Sequence, residues 1–420
     1  MADSAVAERR ERGLFGWWRA GTPEGRKALI AASLGWMLDS FDVMLYALVL
    51  ASLMADLGMS KDTAGALGSL TLIASAAGGM IFGVVADRFG RTRALMASVI
   101  IYSIFTAACG LAQSVVQLAV FRLFLGLGMG GEWASGAALV SETWADEHRG
   151  KALGFMQSAW AVGYGAAAVV TAIVMPIWGW RGVFFVGVLP AFFTLWVRRN
   201  VREPQIWQDN KENPGAIPGR LTDIFRGGLL RLTIAVTIMN AFTMFGWWGF
   251  NLWLPGYLSL PTAQGGVGLS TTTMSFFVFA MQIGMWFGYV TFGFISDAVG
   301  RKRAYVFYTL SASALIFLYV SVRAPLALLL LGPFVAFFAT GYFSGFGAVT
   351  AEMYATDIRA RAQGFTYNIG RIASAVAPFA VGSMAQTQGF RIALSVTSVA
   401  FLLAAVTWIW IPETKGRKLA

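Results

Sequence analysis

Five ionisable residues stand inside stretches otherwise made of apolar and small residues: Asp39, Asp42, Arg122, Glu132 and Arg371. A charge at the centre of a bilayer costs roughly 3 to more than 10 kcal/mol, so each must face a partner or a watered cavity. Asp39 and Asp42 are three residues apart, which places them on one face of a helix. Carboxylates so placed can take up and release a proton, and Glu132 is a second candidate for that exchange. Arg122 is expected to tune the proton affinity of the aspartates. The blander alternative is a buried Asp–Arg pair that only holds two helices together. Arg371 has no acid at matching depth in the second half of the chain. A guanidinium so placed suits an anion, because its planar fork grips a carboxylate through two hydrogen bonds. Asn368 and Tyr367 lie one turn from it. Trp160, Tyr164, Asn240, Trp247, Trp248, Asn251 and Gln282 are the further aromatic and amide candidates for the same cavity.

The elements that must carry these residues are transmembrane helices. The chain of 420 residues is 57% hydrophobic and 13% charged, against about 25% charged in an average soluble domain. A helix needs about 20 apolar residues to cross a bilayer core. Twelve spans are expected, at 28–50, 64–86, 94–113, 115–139, 152–174, 180–198, 231–256, 272–296, 303–322, 325–350, 362–385 and 390–411. They are continuous runs, not the alternating ten-residue segments of a membrane β-barrel. The chain also repeats itself at an offset of 210. Gly83, Asp87, Gly90, Arg91 and Arg93 recur as Gly293, Asp297, Gly300, Arg301 and Arg303, and Glu142, Arg149, Arg181 and Glu203 recur as Glu352, Arg359, Arg391 and Glu413. The expected fold is an all-α membrane protein of twelve helices in two pseudo-symmetric halves around a central cavity, an organisation common among transporters. Residues 1–27 form an N-terminal tail, 28–199 the first half, 200–230 a linker, 231–411 the second half and 412–420 a C-terminal tail.

Of the 32 Lys and Arg, Lys61, Arg181, Arg323 and Arg391 fall on one side of the membrane, and Arg122 and Arg371 lie within spans. All the others fall on the opposite side, so both termini are expected in the cytoplasm and the chain in a bacterial inner membrane. Topology thus accounts for the net charge of +11, and its scatter over short loops speaks against nucleic acid as a partner. The first span is too long for a signal-peptide core. One Cys and one His exclude a disulfide framework and leave no expectation of a metal site. No nucleophile–base pair marks an enzyme.

Two groups of motifs remain. Asp87, Arg88, Arg91, Arg93, Glu142 and Arg149, with Asp297, Arg301, Arg303, Glu352 and Arg359, stand at the cytoplasmic ends of spans. They are expected to form charge latches that close an inward gate in one conformational state; a tight turn with positive-inside charge is the alternative. Gly126-Leu127-Gly128-Met129-Gly130-Gly131 fits G-x-G-x-x-G but lies within an apolar helix, whereas a dinucleotide site needs a strand before it. Helix packing through Gly126 and Gly130 is the better reading. Gly79/Gly83, Gly284/Gly288 and Gly341/Gly345 repeat the spacing.

Gly83-x3-Asp87-Arg88-x-Gly90-Arg91-x-Arg93, Arg122-x3-Gly126-x-Gly128-x-Gly130-Gly131-Glu132 and Pro412-Glu413-Thr414-Lys415-Gly416 resemble signatures of the major facilitator superfamily. Within it, Trp36-Met37-Leu38-Asp39-Ser40-Phe41-Asp42, Gly130-Gly131-Glu132-Trp133, Trp178-Gly179-Trp180-Arg181 and Tyr367-Asn368-Ile369-Gly370-Arg371 resemble the sialate:proton symporter family. That resemblance implies the major facilitator fold and the carriage of sialic acid or lactate-type monocarboxylates. The sugar-porter pattern is absent after span 6, where Arg202-Glu203-Pro204-Gln205 stands. The expected function is proton symport of a small organic anion by alternating access, each chain working as a monomer. A sugar or neutral-metabolite transporter, an exporter by proton antiport, and a solute-sensing homologue are the other readings. No phosphate-binding G-x-x-x-x-G-K-[ST] loop is present, so no cofactor is expected and the proton gradient drives the cycle.

Overall fold

A computed structural model describes residues 16–203 and 221–415, which hold helices and no strand. After a helical turn at Gly16–Ala20 come α1 (Pro23–Leu57), α2 (Lys61–Phe89), α3 (Arg91–Cys109), α4 (Val115–Thr143), α5 (Asp146–Val186) and α6 (Pro190–Asn200). A 3-10 turn, Leu221–Phe225, leads into α7 (Leu229–Ser259), α8 (Thr271–Val299), α9 (Arg301–Ser321), α10 (Pro325–Thr340), α11 (Thr356–Ser374) and α12 (Phe390–Thr407). Phe346–Met353 continues α10 past a 3-10 turn at Gly341–Gly345, and Ala377–Thr387 continues α11. Most of the expected linker, with Pro204, Pro214 and Pro218, lies outside the described residues.

Among the described residues ten helices are long and apolar enough to cross a bilayer; one of them, His148–Val197, holds two expected spans. The expected break between 174 and 180 is a kink instead. α5 runs on to Val186 through Gly179, whose φ is +64°. The divided α11 supplies the remaining crossing. Its break has a simple cause: Pro378 has no N–H to give the carbonyl of Ser374, four residues back. Ile81, Phe276, Phe317 and Leu330 are among the large apolar residues turned outward. This is an integral membrane protein.

The repeat reaches the backbone. Gly58 and Gly268, Gly90 and Gly300, and Gly179 and Gly389 are each 210 apart, and all have positive φ, a region that glycine enters without a steric penalty. Ser60 and Ser270, another such pair, cap α2 and α8 by accepting from the N–H of Thr63 and Thr273 at 3.4 and 3.2 Å. Glu203 accepts from the N–H of Thr92 at 3.1 Å and of Arg93 at 3.3 Å. Glu413 does the same for Arg301 at 2.8 Å and Lys302 at 3.2 Å. Two glutamates, each just past the last helix of its half, thus cap equivalent helix starts, where the macrodipole favours an anion.

Close helix approach rests on small residues. A Cβ on Gly130 would overlap the Ser75 carbonyl oxygen, and one on Gly126 that of Thr71. Gly284 and Gly288 lie equally tight against Pro333 and Phe337. Gly83 departs from the expected packing role, for a Cβ there would meet nothing within 4 Å.

The two ends of the molecule differ. Away from the termini the halves are clasped. Lys61 of α2 donates to the carbonyls of Gln264 at 2.9 Å and Ala385 at 3.3 Å, and Ser69 accepts from the N–H of Phe379 at 3.1 Å. A Cβ on Gly65 would overlap the Pro378 carbonyl. At the terminus-bearing end Gly293, Gly347 and Gly364 also face open space.

Two outcomes follow from these contacts. Gly130→Ala should overpack the α2–α4 contact at a cost of about 1–3 kcal/mol, seen as a lower melting temperature of the purified protein. Gly293→Ala should leave that temperature unchanged or raise it, since alanine is the better helix former; equal losses in both variants would contradict the packing argument. The second concerns Glu413. Burial pushes its carboxyl up, but the N–H groups of Lys415, Arg301, Thr414 and Lys302 outweigh it and hold its pKa below the ordinary 4.5. A depressed folded pKa contributes stability above the unfolded value and loses it as pH falls through the folded one. Glu413→Gln should therefore melt lower than the unmodified protein at pH 7, and the gap should close as pH falls below the ordinary 4.5 and through the folded pKa. A gap independent of pH would show that charge is not the cause.

Candidate functional site

Three helices deliver the central charges. Asp39 sits midway along α1, and Gly35, one turn earlier, is the residue over which α4 lays Glu132. A Cβ on Gly35 would lie 2.6 Å from Glu132 Oε1. Arg371 comes from the second half, near the end of α11 before its break. Gly370 sets its height by packing on Asn240 of α7, where a Cβ would stand 2.7 Å from that of Asn240. Asp39, Glu132 and Arg371 are 1%, 0% and 4% exposed. Arg371 acts electrostatically on Asp39 and on Glu132, and the two carboxylates act on each other. Arg371 has no acid at matching depth in its own half, but the other half supplies two.

Asp42 belongs to a different environment. At 100° per residue, three positions along a helix rotate a side chain by 300°, so Asp42 is turned about 60° from Asp39. It faces Thr106 of α3, and its Oδ1 would lie 3.0 Å from a Cβ on Gly187. Asp39 still acts on it electrostatically. Arg122 differs from expectation. Its guanidinium lies 3.6 Å over the centre of the Tyr46 ring, and the ionisable groups that act on it are Tyr46 and Cys109. The arginine expected to attend the aspartates instead makes a buried cation–π contact, which suits a weakly hydrated guanidinium. No Asp39–Arg122 or Asp42–Arg122 ion pair forms among the described residues.

Aromatic rings wall the triad in an unbroken series across both halves. Trp36 packs on Trp133 at 4.8 Å and on Trp160 at 4.7 Å, and Trp160 meets Trp247 at 5.6 Å and Trp248 at 6.1 Å. Trp133 of α4 stacks on Tyr367 of α11 at 5.6 Å, and Tyr367 meets Phe346 at 5.7 Å. Trp36, Trp133 and Phe346 extend the wall beyond the aromatic candidates of the sequence. Their signal was there, since Trp36 is three residues from Asp39 and Trp133 adjoins Glu132.

The amides divide. Asn240 adjoins Arg371 through Gly370, and its Nδ2 has no hydrogen-bond partner. Gln282 of α8 donates to its own helix at Val278 O and leaves Oε1 unpartnered. Tyr164 of α5 donates to the Asn251 carbonyl at 3.3 Å, a link between halves, while Asn251 and Asn368 donate to Trp247 O and Gly364 O within their own helices. Asp39 Oδ2, both Glu132 oxygens and the indole nitrogens of Trp36, Trp160 and Trp247 are likewise buried without a hydrogen-bond partner. Each such group costs about 1–3 kcal/mol if left unmade, and their grouping around the triad makes this the candidate site.

The expected latch residues form one cluster in each half. Arg91 reaches Asp87 and, at 2.9 Å, Glu142; Arg301 reaches Asp297 and, at 2.9 Å, Glu352. Thr414 donates to Glu352 at 2.6 Å. Arg149 and Arg359 donate to the carbonyls of Trp144 and Tyr354 at 3.4 and 3.3 Å, Arg88 lies over Phe89, and Arg93 and Arg303 flank the capped starts of α3 and α9.

The Major Facilitator Superfamily family model matches residues 32–261 and 257–420. A putative metabolite transport protein of Haemophilus influenzae is 33% identical over 94% of this chain and 98% of its own length. A probable 4-methylmuconolactone transporter of Cupriavidus pinatubonensis is 32% identical over 96% and 94%. The sialic acid transporter NanX of Escherichia coli is 31% identical over 92% and 94%. A crystal structure of a D-xylose-proton symporter superposes with a TM-score of 0.77, covering 94% of this chain and 99% of that one at 21% identity, a likeness of fold. With its two halves, membrane-facing surface and buried central charges, the chain belongs to the Major Facilitator Superfamily of transporters.

Proposed function

We propose that the protein is a proton-coupled symporter of a small organic anion, working by alternating access without a cofactor. One observation carries the reading: Arg371 of the second half faces Asp39 and Glu132 of the first. A carboxylate entering between the halves would find the guanidinium as its counter-charge. Bringing one anion and one proton together leaves the charge of the buried site unchanged, whereas bringing either alone does not. Binding of each therefore favours the other, and that coupling is reciprocal. The relatives named for sialic acid and 4-methylmuconolactone carry acids or their close derivatives. The aromatic wall and the unpartnered indole N–H groups favour a flat, unsaturated acid with further acceptor atoms.

In this reading Asp39 and Glu132 exchange the proton, Arg371 with Asn240 and Tyr367 holds the carboxylate, and the Arg91 and Arg301 clusters hold the gate helices in register. The terminus-bearing end is cytoplasmic, in a bacterial inner membrane, and a single chain completes the cycle.

Purified protein in liposomes under an imposed inward proton gradient tests this, with benzoate, muconate, nicotinate, sialic acid, lactate and xylose offered in turn. Accumulation of an acid and not of xylose is expected; a response to xylose alone would reject the reading. For the accepted acid, Arg371→Ala should weaken binding about tenfold or more, the worth of a charge-assisted pair. Arg371→Lys, which keeps charge but loses the fork, should fall between. Normal affinity in Arg371→Ala would remove it from the substrate site. Asp39→Asn should abolish uphill uptake yet allow exchange between equal substrate pools, which needs no net proton movement. Gradient-driven accumulation by both Asp39→Asn and Glu132→Gln would exclude these two as proton carriers.

A further inference from the structure

Away from the central charges, a groove of about 830 Å³ opens on the flank of α9 at the terminus-bearing end. Val306, Phe307 and Leu310 form its apolar wall, and Lys302, Arg303 and Lys415 its basic rim. Phe307 and Leu310 are 58% and 42% exposed, so the wall runs on into the lipid-facing surface of α9. The one carboxylate in the groove is Glu413. Its oxygens are taken by the backbone N–H groups of Arg301, Lys302 and Lys415. Lys302 Nζ donates to Ile411 O at 3.1 Å and Lys415 Nζ to Ala298 O at 2.7 Å. An ammonium carries three hydrogens, so each lysine is fixed in place by one bond and keeps two for a ligand. Three cations against one carboxylate leave the groove positive.

The chain's own duplication shows that this is a local feature. At the offset of 210, Thr92, Ala97 and Gln205 stand where the second half has Lys302, Phe307 and Lys415. The capping glutamate and the left-handed glycine are kept in both halves. The capped turn is therefore common to both, and the paired ammonium groups with their aromatic wall belong to the second half alone. Helix capping does not explain them.

The geometry points to a binding site for an anionic glycerophospholipid, its phosphate between Lys302 and Lys415 and an acyl chain along Phe307 and Leu310. A soluble anion would use the basic rim and leave the wall idle; a zwitterionic lipid would use the wall and bring no net charge to the rim. Only an anionic lipid matches both parts, and basic residues near the membrane surface are each worth about 1 kcal/mol toward anionic lipid. The site needs no assumption about transport. Only its assignment to the cytoplasmic leaflet rests on the orientation proposed above.

Delipidated protein in neutral detergent is titrated with phosphatidylglycerol, with phosphatidylcholine of the same acyl chains, and with inorganic phosphate, while its melting temperature is followed. Phosphatidylglycerol should raise that temperature at about thirtyfold lower concentration than phosphatidylcholine, from about 1 kcal/mol of preference for each of the two lysines. Phosphate should not reproduce the shift. The Lys302→Gln/Lys415→Gln variant should lose the preference and Lys302→Arg/Lys415→Arg should keep it, each read against its own lipid-free melting temperature. Equal response to the two lipids, or a preference that survives the Gln variant, overturns the proposal. A shift reproduced by phosphate would make it a site for soluble anions. None of these readouts involves uptake, so the lipid site and the transport reading fail separately.

Discussion

A buried arginine carried by one half of the molecule finds its counter-charges on the other. Arg371 acts on Asp39 and Glu132 across the interface between halves, and none of the three could be kept charged and alone at that depth. Desolvating an ion costs several kcal/mol even after relaxation, and opposed charge nearby offsets part of it. The remaining architecture serves that requirement. Gly35 and Gly136 leave room for the Glu132 carboxylate, and Gly370 lets α11 approach Asn240 closely. The clasp of Lys61, Gly65 and Ser69 on the divided α11 holds the halves together at the end away from the termini.

The duplication divides the molecule into a conserved frame and a differentiated centre. Pairs 210 apart keep the same work at the periphery: Glu203 and Glu413 cap, Arg91 and Arg301 bridge, and Gly90 and Gly300 turn. At the centre the same offset sets Asp39 against Gly249, Glu132 against Tyr342, Arg122 against Gly332 and Arg371 against Ala161. Two equal halves would place like charges face to face across the axis. An acidic first half and a basic second half remove that repulsion and create a single polar centre, so loss of symmetry there is a physical necessity.

Much of this was legible in sequence, for reasons that also mark where legibility ends. Helix number and the pairing of halves follow from apolar run length and from a repeat long enough to fix its own register. The kink at Gly179 and the break before Pro378 were harder. A positive-φ glycine can end a helix or only bend it, and hydropathy alone does not separate the two. Asp39, Glu132 and Arg371 were found because ionisable residues in apolar runs are costly. Their mutual arrangement was not, since it joins α1, α4 and α11 from separate parts of the chain. Arg122 shows the same limit. Its depth suggested an aspartate partner, yet the space beside it belongs to the Tyr46 ring, and nothing in the order of residues says which of two buried neighbours a guanidinium will meet. Trp36 and Trp133 stand within family-like motifs, but in a chain with 16 tryptophans sequence alone does not separate a ring in the interior from one that faces lipid.

The aromatic wall and the charged centre are one device. Rings that touch from Trp248 through Trp160, Trp36 and Trp133 to Tyr367 exclude water from around the triad, and a lower local dielectric strengthens every charge interaction inside it. The same exclusion makes each unmet donor expensive. Indole nitrogens on Trp36, Trp160 and Trp247 are buried without acceptors, although apolar rings of similar size would fill the space at no such cost. A site that keeps such donors discriminates strongly, because a ligand lacking the matching acceptors leaves them unpaired while one that has them recovers the whole penalty. In the proposed reading the tryptophans are therefore donors as well as walls, and a ligand with matching acceptors would recover their cost.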